Sequence, residues 1–195
     1  MVNRHKNERR GGGISIPLSI TYARLGLAPV VVGLVLLRLY GAAAVVFGAA
    51  ALTDFVDGYL ARRWRLTTTF GNFLDTTADK LLVAGALVGL VAIGRASAWV
   101  AFIIIGRELL VMALRGLAAA DNVVMQASIW GKLKTNVQFL AIIMAMLRLP
   151  SRWGPLYPDE WVMWAAAAVT IASGAEYLAR FRPVLSPHAP PSLRE

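Results

Sequence analysis

The sequence predicts an all-α integral membrane protein with six transmembrane helices. Three observations predict it. Apolar residues make up 57% of the 195-residue chain and charged residues only 16%, against roughly 45–50% and about 25% in soluble domains. The mean hydropathy is +0.59. The apolar residues fall into six segments broken by Gly, Pro and charge, and the basic residues are shared unequally between the two ends of those segments.

In chain order, residues 1–13 read as a flexible basic N-terminal tail, with Arg4, Lys6, Arg9 and Arg10 ahead of Gly11-Gly12-Gly13. No apolar core follows them directly as in a signal peptide. The triple glycine lacks the Gly-Lys-Ser/Thr ending of a phosphate loop and reads as a linker. The six spans are expected over 20–38, 42–62, 71–93, 97–118, 127–147 and 161–179, because about 20 residues cross a ~30 Å hydrocarbon core. The 148–160 segment, with Pro150, Trp153, Pro155, Tyr157 and Pro158, reads as an outer turn with interfacial aromatics. The single domain is expected over 14–180, and 181–195, with Pro187, Pro190 and Pro191, as a disordered tail. No charge-free stretch reaches ~18 residues. A soluble helical bundle is therefore the competing reading. The spans survive because their charges gather towards one end, where they can face a polar cavity.

Charge placement gives an orientation. With the N-terminus inside, the outer loops hold Arg38, Arg95, Arg148 and Arg152, and the other sixteen basic residues lie at the inner side. That bias puts both termini in the cytoplasm. The net charge is +9. In so apolar a chain it points to an anionic membrane face or an anionic substrate, not to nucleic acid, since no helix pairs a basic stripe with stacking aromatics. There is no cysteine, which excludes a disulfide scaffold, a thiolate metal site and a cysteine nucleophile.

Four aspartates interrupt apolar sequence: Asp54, Asp57, Asp75 and Asp79. An ionised carboxylate at membrane depth costs several kcal/mol unless compensated. Asp54 and Asp57 are spaced i,i+3 and Asp75 and Asp79 i,i+4, so each pair shares a helix face. Arg63-Trp64-Arg65 and Thr67-Thr68-Thr69 read as the cytoplasmic turn between them. Two antiparallel helices then aim four carboxylates at one another. Such a cluster repels itself unless a cation sits within it. All-oxygen ligands suit Mg²⁺, Mn²⁺ or Ca²⁺, and four negative charges balance two divalent ions. Two-metal sites of this kind serve phosphoryl displacement. The competing reading is ion pairing with Arg62, Arg63 or Lys80. Gly58, Ala61 and Gly71 are small enough to admit a ligand or a neighbouring backbone.

The stretch Asp54–Asp79 reads D-x2-D-G-x2-A-R-x8-G-x3-D-x3-D. It resembles the signature of the CDP-alcohol phosphotransferases at every position: Asp54, Asp57, Gly58, Ala61, Arg62, Gly71, Asp75 and Asp79. The resemblance implies a membrane enzyme of six transmembrane helices preceded by a short amphipathic helix, usually a homodimer. Such an enzyme transfers a substituted phosphate from a CDP-linked donor to an alcohol and releases CMP. Ile16 to Arg24, with Pro29 following, looks like the amphipathic helix and first span. Thr76-Thr77 stands where relatives often carry Pro-Val. Arg107-Glu108, Ala113-Leu114-Arg115, Gly131 to Thr135 and Gln138 are similar to the branch that joins CDP-diacylglycerol to sn-glycerol 3-phosphate. Rival acceptors are inositol phosphate and phosphatidylglycerol.

The resemblance implies that Asp54, Asp57, Asp75 and Asp79 hold Mg²⁺ or Mn²⁺, two ions being expected, and that Asp79 is also the catalytic base. Gly58, Ala61, Arg62, Gly71 and Thr21 are implied for CDP-diacylglycerol. Arg107, Lys132, Arg115 and Lys134 are placed for the acceptor phosphate; attraction to anionic headgroups is the competing account of these cations. A metal carrier is the competing class. Against it, no inverted second set of carboxylates occurs in the other half of the chain.

Overall fold

The computed structural model describes residues 16–64, 69–120 and 129–185, with the side chains of 16–20, 54–64, 69–70, 72, 120, 129–130, 132 and 181–185 outside the description. The two expected tails lie largely outside the described residues.

Six α-helices and no strand make up the described residues: α1 (Ile16–Leu36), α2 (Tyr40–Trp64), α3 (Thr69–Ala92), α4 (Ala98–Ala120), α5 (Ile129–Leu147) and α6 (Pro158–Leu185). At 1.5 Å per residue they span about 28 to 42 Å. Each expected span has its helix. Two boundaries differ. The short amphipathic helix is not a separate element, because α1 runs unbroken from Ile16 through Pro29 to Leu36. No turn-forming cluster separates the amphipathic segment from the apolar one. At the other end α6 continues past Arg180 to Leu185. Tyr177 to Arg182 contains no helix breaker, and Arg180 bonds Glu176 one turn back at 2.6 Å.

Small residues fill the interior. Ala28, Ala43, Ala50, Ala86, Ala141, Ala145 and Ala166 are buried with Val31, Val35, Phe47, Leu82, Leu87, Leu90, Ile104, Ile142 and Met146. Large apolar residues face outward instead, among them Val45, Leu52, Val88, Phe102, Leu117, Leu140 and Ile171. A soluble bundle would place these the other way round; helices in lipid bring small residues together and leave large ones outside. Among the described residues, the one helix long and apolar enough to cross a membrane is Pro158–Arg180, and Thr21–Leu36, Tyr40–Thr53 and Leu133–Leu147 are shorter apolar stretches.

The α1–α3 contact is the most extensive. Gly85 and Gly89 of α3 face α1 so closely that an added Cβ would lie 3.0 Å from Val32 and 3.2 Å from Val35. The absence of side chains there brings the two backbones together.

Helix ends are closed by local chemistry. Gly94 (φ 71°) terminates α3, with Arg95 N–H donating to Leu90 O at 2.8 Å and Gly94 N–H to Val91 O at 3.0 Å. This double bond pattern is a Schellman cap, and glycine takes its left-handed residue without penalty. Arg38 (φ 61°) ends α1 with the same pattern, its own N–H donating to Val35 O and that of Leu39 to Leu34 O. At α6, Pro158 takes the first helical position and Glu160 accepts from Tyr157 N–H at 2.9 Å, half of a capping box.

The end of the bundle opposite the aspartates is tied by two arginines. Arg95 lies 3.6 Å above the Tyr40 ring and donates to Met146 O at 2.6 Å. Arg148 reaches Asp159 through Nε and Nη2, at 3.1 and 3.0 Å, and Glu160 at 3.2 Å. Asp159 is only 1% exposed. Arg148→Ala leaves that carboxylate buried without its counter-ion. We predict a loss of stability on the order of 3 kcal/mol, read as a lower Tm of the purified protein. Adding Asp159→Asn should recover part of it. An Arg148→Ala protein with wild-type Tm would show that the pair contributes nothing.

Candidate active site

The first half of the site is built by α1 and α3. Thr21 and Arg24 are three residues apart and share one face of α1. Both are buried, Arg24 to 2% exposure. Arg24 Nη1 donates to Asp75 Oδ1 at 2.7 Å, and the Thr21 hydroxyl donates to the same oxygen at 3.3 Å. The Asp75 side chain remains 43% exposed. One face of the carboxylate is therefore anchored and the other is open. Asp79 lies one turn further along α3 and is half-buried. Gly71 sits in the first turn of the same helix.

Asp54, Asp57, Gly58, Ala61 and Arg62 fall within the last three turns of α2, and their side chains lie outside the described residues. The backbone therefore carries the four aspartates on the C-terminal part of α2 and the N-terminal part of α3, consecutive helices that touch each other and both pack on α1. Among the described residues no group of three acidic or histidine side chains forms a metal site; Asp75 and Asp79 are the two described members. Their chemistry fits a hard divalent cation. Both offer carboxylate oxygen, and Asp75 is held by hydrogen bonds on one oxygen, as ligating carboxylates are.

The second half is a buried charge cluster formed by α3, α4 and α5. Glu108 of α4 accepts from Lys80 of α3 on Oε2 and from Lys134 of α5 on Oε1. Arg107 is 3.5 Å from the same Oε1. Arg107 also donates to Ser173 Oγ of α6 at 2.7 Å. The lack of a side chain at Gly174, where a Cβ would lie 3.2 Å from Arg107 Cγ, lets the arginine stem lie against α6. Three helices thus meet at one carboxylate, and Arg107 links the cluster to α6. A polar seam continues between α5 and α6, where Gln138 donates to Thr170 Oγ1 at 2.8 Å.

The geometry gives several of the expected residues partners within the protein. Thr21, expected in a nucleotide pocket, is buried with its hydroxyl on Asp75. Lys80, weighed as a partner for the aspartates, reaches across to Glu108. Lys134, placed for the acceptor phosphate, is buried and paired with Glu108. Arg107 joins it at the same carboxylate. Arg115 is exposed and stands apart, donating to the Tyr177 hydroxyl at 2.9 Å. Lys132 lies in the first turn of α5, with its side chain outside the described residues. Arg24 was assigned no role from the sequence. Its signal was available: a lone cation in an apolar stretch, three residues after a threonine.

Residues 14–172 match the CDP-alcohol phosphatidyltransferase family. The chain belongs to this family. Three relatives match along most of it, each a CDP-diacylglycerol–glycerol-3-phosphate 3-phosphatidyltransferase. That of Bacillus subtilis is 37% identical over 182 residues, covering 85% of this chain and 94% of the relative. That of Pseudomonas fluorescens is 39% identical over 170 residues, covering 83% and 84%. That of Rickettsia typhi is 36% identical over 171 residues, covering 84% and 94%. Family members act on CDP-linked alcohols and generally depend on divalent metal.

Glu108 neutralises cations from three helices, so its loss should be felt through the fold. We predict that Glu108→Gln costs on the order of 3 kcal/mol, seen as a lower Tm. Adding Lys134→Met should restore part of that loss. If Glu108→Gln unfolds at the wild-type temperature, the cluster is not an energetic unit.

Proposed function

We propose that this chain transfers the phosphatidyl group of CDP-diacylglycerol to sn-glycerol 3-phosphate, giving phosphatidylglycerophosphate and CMP. The observation that carries this reading is the similarity, at 36–39% identity over 83–85% of the chain, to relatives that bear the name of that activity. The Asp54–Asp79 pattern on α2 and α3 supports the chemistry.

We further propose that all six helices cross the membrane as one domain, from about residue 14 to the end of α6, and that the enzyme works as a homodimer. The outward-facing leucines, valines and phenylalanines support the crossing. The Lys/Arg excess at the aspartate end supports a cytoplasmic active site and cytoplasmic termini. A topology reporter after Trp64 is expected to read cytoplasmic; an external signal there would reverse the orientation. Crosslinking in native membranes should capture a dimer, and monomer alone would count against one.

In this reading Asp54, Asp57, Asp75 and Asp79 would hold two divalent ions, Mg²⁺ or Mn²⁺, whose charge when bound offsets that of the donor diphosphate and of the departing CMP. Gly58, Ala61 and Gly71 leave space for the nucleotide, and Arg62 reaches a phosphate. The acceptor hydroxyl oxygen attacks the lipid-side phosphorus. A new O–P bond forms as the bond to the CMP oxygen breaks, and CMP leaves with the electron pair. Asp79 takes the hydroxyl proton. Arg107, Arg115, Lys132 and Lys134 attract the acceptor's phosphate, the arginines by paired N–H donors and the lysines as point charges.

The test is CMP release by purified protein with CDP-diacylglycerol and Mg²⁺, offered glycerol 3-phosphate, inositol phosphate and phosphatidylglycerol separately. Release with glycerol 3-phosphate alone is expected, and EDTA should stop it. Release with another acceptor would move the error to the basic residues. No release with any acceptor would leave a metal carrier as the better account. Asp79→Asn should lower turnover by about 10²-fold or more with an unchanged Tm; wild-type turnover would remove Asp79 from the mechanism.

A further inference from the structure

We propose that Arg24 is a positioning residue for Asp75, which it clamps so that the carboxylate meets its divalent cation already oriented. The inference rests on the carboxylate-site reading above and adds a residue that lies outside the Asp54–Asp79 pattern, on a different helix.

Arg24 is one of the largest fully buried side chains in the protein, at 2% exposure. From there it makes almost no contact with solvent. Burying a guanidinium costs several kcal/mol unless a well-placed partner compensates. One partner is the Asp75 carboxylate, whose side chain is 43% exposed, so this contact ties a buried cation to an open anion. The bond is short, 2.7 Å, and it is charge-assisted. Thr21 adds a second donor to the same Oδ1 at 3.3 Å. Both donors come from one face of α1, and α1 is held against α3 by the close approach at Gly85 and Gly89. The clamp therefore stands on a rigid helix pair.

Two donors on Oδ1 fix the side-chain torsions of Asp75 and leave Oδ2 as the oxygen that could meet a cation. A free carboxylate would have to give up that rotational freedom when the ion binds. Hydrogen-bonded partners of metal ligands typically contribute about 10–100-fold to metal affinity.

The experiment is a Mn²⁺ titration of the full chain in nanodiscs, with free Mn²⁺ read by electron paramagnetic resonance and Tm recorded for each variant. Arg24→Gln should raise the Mn²⁺ Kd by about 10–100-fold, and Arg24→Lys should recover part of it. Thr21→Val, which removes only a neutral hydrogen bond, should weaken binding in the same direction by less, and it serves if Arg24→Gln does not fold. Because Arg24 acts through Asp75, adding Arg24→Gln to Asp75→Asn should change the Kd no further. Wild-type Mn²⁺ affinity in Arg24→Gln, or an equal loss in the Asp75→Asn background, would overturn the proposal. Wild-type protein that binds no Mn²⁺ would instead overturn the carboxylate site itself, and the two failures are told apart by that control.

Discussion

A charge inside an apolar bundle must be met by an opposite charge, and the rest of this structure is arranged around that constraint. Removing an ion from water costs several kcal/mol, and only close, well-directed partners offset it. Among the described residues, three ion-pair groups that join separate parts of the bundle meet the requirement. Arg24 joins α1 to Asp75 of α3. Glu108 of α4 gathers Lys80 of α3 and Lys134 of α5. Arg148, past the end of α5, holds Asp159 of α6. The first two lie at the aspartate end and the third at the other. The middle layer between them is apolar, built from Ala28, Val35, Phe47, Leu87 and Ile142. In the membrane reading proposed above, hydrophobic association between helices is weak, because lipid tails are as apolar as the side chains. Polar ties at both ends and small-residue contacts between them are what remains to fix helix positions.

The same constraint divides the aspartate end into two chemically distinct halves. Asp75 and Asp79 belong to an acidic half with α2, and Glu108 sits within a basic half with α4 and α5. Lys80 follows Asp79 directly in sequence but turns the other way, to Glu108. Successive residues on a helix are about 100° apart, so α3 can present carboxylates to one neighbour and a cation to the other. That single helix keeps the two halves adjacent without letting them neutralise each other.

Much of this was legible in the sequence. The six helices appear where composition and apolar segmentation put them. The aspartate spacing could be read because it is local, within one or two turns. What could not be read were partners far apart in the chain. Lys134 and Glu108 are separated by 26 residues, and Arg24 and Asp75 by 51. Nothing in the sequence says which of several cations a buried carboxylate meets, since that depends on how helices rotate about their axes. The rotation of α1 against α3 is set by Gly85 and Gly89, whose four-residue spacing is a close-packing signal in its own right. The expected first span, 20–38, already runs across Pro29, and α1 does the same.

The basic half bears on the acceptor under the proposed function. Lys80, Lys134 and Arg107 surround one carboxylate, leaving two positive charges in excess. A cluster of bare cations would repel itself in a low-dielectric interior, and one with a matching number of acids would attract no anion. Glu108 holds the group between those limits. It keeps the helices together when no ligand is present, and the remaining excess equals the charge of a phosphate dianion. An uncharged acceptor headgroup would have no use for such a reserve. Under the proposed function that reserve favours an acceptor that carries its own phosphate, and Glu108 is as much a part of the preference as the cations it holds.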